Sequence, residues 1–306
     1  MGIEFEVSEE LTGITLAYAN KDFIADKIFH RVPVGTSTFS YKQYKKDLNL
    51  QLPETLVGDS GMPNSVDFAS ENKYATVRGD ALMDEIPQSK ISDGKENLED
   101  LQGDSVEMLT NVFLACREKR LADLLADETV YNGNSKTLTN DEKLTDTSVD
   151  LLSMIEDTRL KCWFEPNTII MSRAVYSYVR RNQSLVSAFH KNLNSHGLLL
   201  GEELKDVLQI ENVFVGMGVA NTKKRGQTPS YANLWGNNII LAYINPKAKL
   251  DKDMTFGLTA EKGKRQVFTA FNGIPGTDGV NYVKISEKIT DVITCPDCGY
   301  LLKNVI

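Results

Sequence analysis

Residues 103–128 read GDSVEMLTNVFLACREKRLADLLADE, and this run constrains the chain more than any other. Its apolar side chains Val106, Leu109, Phe113, Cys116, Leu121, Leu124 and Leu125 recur at helical spacing along one face. Asp104 and Glu107 stand where an N-cap and its N3 partner would close a capping box. From Ser105 to Ala126, at 1.5 Å per residue, the run spans about 33 Å. A helix that long with a single apolar stripe has to lie across a broad surface.

What precedes it is extended. TSTFSYKQYKKDLNL (36–50) and NKYATVRGDALMDEIPQ (72–88) alternate as strands do, and PETLVGDSGMPNSVDF between them is rich in Gly, Pro, Asn and Ser. The pattern predicts a two-stranded excursion over 35–90 with its tip near Gly58, Gly61 and Pro63. A lone ribbon is marginal in water, so it should pack on something, another subunit included. Residues 1–34 alternate weakly and offer little core of their own, which predicts an arm that gains stability on adjacent copies.

Beyond the helix the periods mix. SVDLLSMIEDTRLKCW predicts a second helix capped at Thr147 or Ser148. PNTIIMS predicts a short buried strand, and SRAVYSYVRRNQ a helix capped by Ser172. SLVSAFHKN continues as a further turn or two, and GEELKDVL reads as a short helix. NVFVG, LWGNNIILAYI, KRQVFTAFNG, VNYVKISEKITDVIT and GYLLKNVI read as strands. The class is α+β, with no repeat of fixed period.

The 306 residues carry 34 Lys and Arg against 42 Asp and Glu, a net charge of −8, which argues against a protein that coats nucleic acid while leaving room for a basic loop. Apolar runs such as NIILAYI fall far short of the ~20 residues of a membrane span. MGIEFEVSEE lacks the apolar stretch of a secretion signal. Four cysteines in a chain this long make no disulfide framework, so the expectation is a soluble protein made in a reducing cytoplasm.

Motifs of catalysis are thin. The chain has no G-x-S-x-G, Walker A, G-x-G-x-x-G or H-E-x-x-H pattern, and its three histidines are His30, His190 and His196. No catalytic or cofactor-binding residue is assigned, and no cofactor is expected. Cys295 and Cys298 have the spacing of half a zinc ribbon or of a redox dithiol, but a metal needs two more ligands, and Cys116 and Cys162 both read as small buried hydrophobes. With Pro296, Asp297 and Gly299 around them, a tight turn is the leading reading. A metal site or a disulfide between subunits is the alternative. TKKRGQ (222–227) is the one compact basic run, either a solvated loop or a patch for phosphate or an acidic neighbour. Arg78–Asp80 spells RGD, a tripeptide common by chance.

The order of these pieces resembles the major capsid proteins of tailed bacteriophages, with their Hong Kong 97-type fold. SENKYATVRGDALMDEIPQ is similar to the returning strand of that family's extended loop, and LTNVFLACREKRLADLLAD to its spine helix. EPNTIIMSRAVYSYVRRNQSLVSAF resembles the entry to the axial domain, LKDVLQIENVFVGMGVAN and LWGNNIILAYINP later axial elements, and GYLLKNVI the closing strand of the peripheral domain. The resemblance covers nearly the whole chain. It implies an N-terminal arm over 1–34, an extended β-loop over 35–90, and a peripheral domain over 91–160 with the spine helix at about 105–126. An axial domain over 161–274 and return strands of the peripheral domain over 275–306 follow. It further implies a non-enzyme that assembles through hexamers and pentamers, by way of the axial domain, into an icosahedral shell enclosing double-stranded DNA. Portal, scaffolding and decoration proteins are the implied partners, with assembly in the bacterial cytoplasm. The Lys–Asn crosslink of some members, assisted by a Glu, finds no match in these residues. An encapsulin compartment is the alternative with the same architecture, and a zinc or thiol enzyme built on Cys295 and Cys298 the remote one.

Overall fold

The structure, a computed structural model, describes residues 3–46, 52, 54–57, 61–65, 70–92, 97–190, 197–224 and 226–306. The chain begins with β1 (Glu6–Val7), α1 (Glu9–Ala17), α2 (Ala25–Ile28) and β2 (Arg31–Pro33). The ribbon follows as β3 (Thr38–Tyr44) and β4 (Ser70–Thr76), then β5 (Arg78–Pro87), α3 (Ser89–Ser92) and the long helix α4 (Leu98–Leu125). Next come β6 (Ser135–Thr137), α5 (Leu151–Lys161), β7 (Thr168–Ser172), α6 (Arg173–Val179), α7 (Gln183–His190) and α8 (Gly201–Leu208). The chain closes with β8 (Asn212–Gly216), β9 (Val219–Asn221), β10 (Tyr231–Asn233), β11 (Ile239–Ala242), β12 (Gly257–Glu261), β13 (Gln266–Asn272), β14 (Val280–Ile293) and β15 (Gly299–Lys303).

Two sheets carry the core. In the first, β14 pairs with β5 from Val280 to Ile289, with β13 over Val280–Ser286 and with β12 over Ile289–Ile293. Because Ile289 pairs with both Arg78 and Glu261, β12 and β13 lie end to end along the edge opposite β5. Residues 262–265 bulge out between them opposite Glu287 and Lys288, and a bulge is a device that re-aims side chains. β1 and β2 flank β13 and β12.

The second sheet runs β6-β15-β11-β7-β8. Its strands β7 and β11 are buried at every position because both faces are covered. Ile169, Met171, Ile239, Leu241 and Leu302 face the helices α5 to α8. Ile170, Ile240, Ala242 and Leu301 face the end of α4, α2 and Phe256.

The long helix spans both sheets. Val106 and Phe113 near its start pack with Val283, Ile285 and Val267 of the first. Leu121, Ala122 and Leu125 at its end pack under the second. It starts at Leu98, earlier than the capping box at Asp104 predicts. The Asn97 side chain caps it by accepting from the backbone N–H of Glu99, and Glu99 and Asp100 complement the first-turn dipole. Its buried face also departs from the expected stripe. Cys116 is exposed, while Arg117 and Glu118 are buried. Cys162 is buried as expected, which pushes its thiol up to about 12.

Four further expectations change. The second helix is capped by Asp150, which accepts from the N–H of Ser153; Ser148 is engaged by Asp146 instead. Residues 1–34 are not a coreless arm awaiting a neighbour, since Ile24, Ala25, Ile28 and Phe29 are buried in this chain's own core. The strands at 257–261 and 266–272, expected with the axial segment, pair with β14, so the boundary at 274 does not follow the sheets. The final strand, expected to close the same domain as 280–293, pairs with β11 in the other sheet. Both corrections have one cause: register, which pairs strands across long separations, is set by faces that the strand sequences do not label. Ser172 caps α6 by accepting from the N–H of Val175, as expected.

The ribbon forms, Thr38–Tyr44 antiparallel to Ser70–Thr76, but it is shorter than the expected 35–90: most of the second run, Arg78–Pro87, leaves it and pairs with β14 in the first sheet. Both ends of its paired strands are tied to the body: the N–H of Tyr44 donates to the carbonyl of Thr294 at one end, and the Oγ1 of Thr290 to the carbonyl of Thr76 at the other. Of the expected tip, Gly61 and Pro63 are described and exposed, and Gly58 lies outside the described residues.

Candidate assembly joint and contact surfaces

Arg117 and Glu118, adjacent on the long helix, point into a joint between three parts of the chain. Glu118 reaches the N-terminal segment and the second sheet. Its Oε1 accepts from the N–H of Ile24 at 2.9 Å and from Nε1 of Trp235 at 2.6 Å. Its Oε2 accepts from the N–H of Ala25 at 2.8 Å. The two backbone donors, of Ile24 and Ala25, sit at the start of α2, where backbone N–H groups lack helical partners, so the carboxylate caps a neighbouring helix from the side. Burial pushes the Glu118 carboxyl up, and these hydrogen bonds offset it only in part.

Arg117 pairs with Asp26, and its other amino group donates to Oγ1 of Thr259 at 3.2 Å. Thr259 in turn donates to Asp291 at 2.5 Å. Arg31 gathers three acids: Asp26 at 2.7 Å, Glu261 at 2.6 Å, and Glu287. Arg265, in the bulge, lies 3.4 Å from Glu287 and donates to the carbonyl of Thr15 at 3.1 Å. The bulge opposite Glu287 makes room for both guanidiniums where an uninterrupted strand would have filled the space. Burial would raise the Asp26 carboxyl, but Arg117 and Arg31 outweigh it and hold it at about 2. Burial works against the charge of Arg31, and Asp26 and Glu287 overcome it and push its pKa up. For Arg265 burial wins and its pKa falls.

A cavity of about 430 Å³ opens beside the joint, with Leu16, Tyr18, Phe23 and Leu114 as its apolar wall and Arg31 and Glu287 at its base. Three buried polar atoms here, Nε of Arg117, Nε of Arg265 and Oε2 of Glu287, have no protein partner. The arrangement is mechanical in character. It ties residues 24–31, the long helix and the bulge into one piece.

The outer surface carries several large, exposed apolar side chains. On the excursion Leu52, Leu56 and Met62 are 97%, 84% and 95% exposed. Met108 on the long helix, Leu160 at the end of α5, and Phe271 and Ile274 beyond β13 are exposed as well.

The residues singled out in the sequence fall as follows. Cys295 and Cys298 are bonded to each other and fully buried, which overturns a bridge from them to another subunit. Among the described residues no cluster of three or more His, Cys, Asp or Glu is placed to hold a metal. The turn between them is a single 3-10 turn, Pro296–Cys298, and it is a junction. The Asp297 carboxylate accepts from Nδ2 of Asn132 at 2.9 Å and from the N–H of Lys46 at 3.2 Å, and its carbonyl accepts from the N–H of Trp163 at 2.8 Å. The RGD tripeptide lies in β5 within the sheet, and Asp80 faces Arg120 at 2.9 Å. His30 shares a hydrogen bond with the carbonyl of Ala248 at 2.8 Å. His190 ends α7, and His196 lies outside the described residues. Thr222, Lys223 and Lys224 of the basic run are exposed on the β9–β10 connection; Arg225 lies outside the described residues. Sequence reasoning missed the ionic joint, for which the one available signal was Arg117 and Glu118 lying in phase with Val106, Phe113 and Leu121.

No family model matches the chain. Two curated relatives do. The major capsid protein of Pseudomonas phage JBD67 is 30% identical over 303 residues, covering 99% of this chain and 98% of the relative. The major capsid protein of Burkholderia phage BcepMu is 26% identical, covering 98% of this chain and 96% of the relative. Among solved structures, the crystal structure of a phage-related protein from Bordetella bronchiseptica RB50 superposes with a TM-score of 0.77 at 19% identity, covering 99% of this chain and 98% of that one.

Proposed function

Given that this chain belongs to the family of phage major capsid proteins, we propose that it is the repeating subunit of an icosahedral shell around the double-stranded DNA of a tailed phage or prophage. The observation that carries the reading is the ribbon of residues 38–76. Its paired strands lie along the 290–294 end of β14, and the segment joining them carries the exposed side chains of Leu52, Leu56 and Met62. Those side chains become useful when a neighbouring copy covers them, which couples assembly to apolar burial.

In this reading the subunit assembles through hexamers and pentamers. The unit around the first sheet and the long helix is the peripheral domain, and the second sheet with helices α5 to α8 supplies the axial domain. Portal, scaffolding and decoration proteins are the further partners, and the shell is built in the host cytoplasm. The chain acts as a structural protein, not as an enzyme. The full-length phage relatives favour a DNA-containing shell over an encapsulin compartment.

Electron microscopy of the expressed, purified chain tests the proposal. Shells, or rings of five and six subunits, are the expected result. A species that stays monomeric at every concentration, with and without a co-expressed scaffold, would overturn it.

A further inference from the structure

The charge of this chain is strongly segregated. Residues 166–201 and 212–250 contain not one Asp or Glu. Over 166–250 there are ten Lys and Arg against four Asp and Glu, a net +6; the remaining 221 residues hold 24 against 38, a net −14. A blockwise sign change of this kind is a statement about partners, since interior packing does not require it.

The arginines sharpen it. Of the nine among the described residues, Arg31, Arg117, Arg120, Arg159 and Arg265 each face a carboxylate. Of the other four, three lie on one short stretch: Arg173, Arg180 and Arg181. Arg173 and Arg180 are seven residues apart, two helical turns, and so share a face. Arg180 stacks on Tyr176 with its centre 5.3 Å from the ring, and Arg181 on Tyr178 at 4.9 Å. The Nε of Arg180 donates to the carbonyl of Leu199, and that of Arg181 to the carbonyl of Ser177, each at 2.9 Å. Both guanidinium planes are therefore held in place, and among the described residues no carboxylate pairs with them. The strands β7 and β8 are parallel, with Ser172 beside Gly216, so α6 and the β9–β10 hairpin leave the sheet at the same end. That hairpin exposes Lys223 and Lys224, and from Val219 to Asn233 it too lacks any acid.

We infer that α6 and the β9–β10 hairpin form the face on which this subunit meets the phosphates of double-stranded DNA, without reading base sequence. This rests on the shell reading above and adds the surface to it. A positive field spread over 85 residues suits a line of phosphates better than one carboxylate on a neighbour. Preset guanidinium forks and lysines are the groups that hold phosphate oxygens. The acidic remainder keeps DNA from adhering to the subunit elsewhere.

The test uses the full chain as open subunits or capsomers, with any closed shells first dissociated so that the inward face is accessible, and a fluorescent double-stranded DNA fragment titrated between about 50 and about 200 mM salt. Arg173→Gln/Arg180→Gln/Arg181→Gln should weaken binding at least about tenfold at the low-salt end and flatten the slope of log affinity against log salt by about 3. Lys223→Gln/Lys224→Gln should flatten it by about 2, while Lys21→Gln/Lys90→Gln, outside the segment, should leave both unchanged. Microscopy of each variant is read separately, so that a failure of the shell reading shows in the unaltered chain. Unaltered DNA affinity in the arginine variant would overturn the inference. So would lost assembly with DNA binding retained, which would place a neighbouring subunit's acids on this face.

Discussion

Nε1 of Trp235 donates to Oε1 of Glu118 at 2.6 Å, across 117 residues of sequence, and both side chains are buried. That bond joins the loop before β11 to the long helix, and the same carboxylate holds the N–H groups of Ile24 and Ala25, where α2 begins.

Glu118→Ala should therefore cost about 3–5 kcal/mol, because it strands three buried donors and leaves Arg117 without part of its counter-charge. Glu118→Gln keeps one acceptor oxygen and should lose less than the alanine variant. Thermal or denaturant unfolding of the unassembled subunit measures both; equal losses would show that the carboxylate's bonds are not what stabilises the joint.

Gly216→Ala tests the same contact from the other side. A Cβ there would lie 2.0 Å from Cδ1 of Trp235, a ring with buried neighbours and little room to move. The expected loss is about 1–3 kcal/mol, accompanied by a change in tryptophan emission as the indole leaves Glu118. Unchanged emission and stability would mean that the ring is not held where the bond requires.

Acid should loosen the joint through Asp26. Its folded-state pKa of about 2 lies below the ordinary 3.8, so the folded chain holds a proton there more weakly than the unfolded chain does. Its stabilising contribution is complete above about pH 4 and is lost as the pH falls through about 2. Asp26→Asn should accordingly make the fall of stability over that window shallower, while lowering stability at neutral pH. Parallel acid-unfolding curves for the two proteins would refute this.

Leu56→Asp/Met62→Asp separates folding from assembly. Both side chains are exposed, so subunit unfolding should move by no more than about 0.5 kcal/mol. Shell formation, followed by sedimentation, should fail or need a much higher protein concentration. Normal assembly would remove the tip from the contact surface.

Much of the architecture is legible in the residues. The run from Val106 to Leu125 carries its helix in the phase of its leucines, and the alternation around Phe39 and Tyr41 carries the ribbon. The apolar runs at 169–171 and 239–242 announce strands covered on both faces, and Ser172 announces its cap. These are local facts, because period, branching and capping act within a few residues.

The joint was not legible. Read along the helix, Arg117 and Glu118 are charged residues of the kind a solvated face carries, and Cys116 the apolar choice; the structure reverses both. The partners that make a buried arginine and glutamate tolerable come from residues 24–26, 235 and 259, on three separate stretches of chain. Nor could the strand sequences tell that Gly299–Lys303 would join the sheet of 239–242 rather than follow β14. By itself the sequence determined which segments are helix, ribbon or strand, since backbone periodicity is settled within each segment. Only the tertiary structure decided which charges are buried and which strands meet, because desolvating an ion is affordable only where distant parts of the chain bring counter-charges to within about 3 Å.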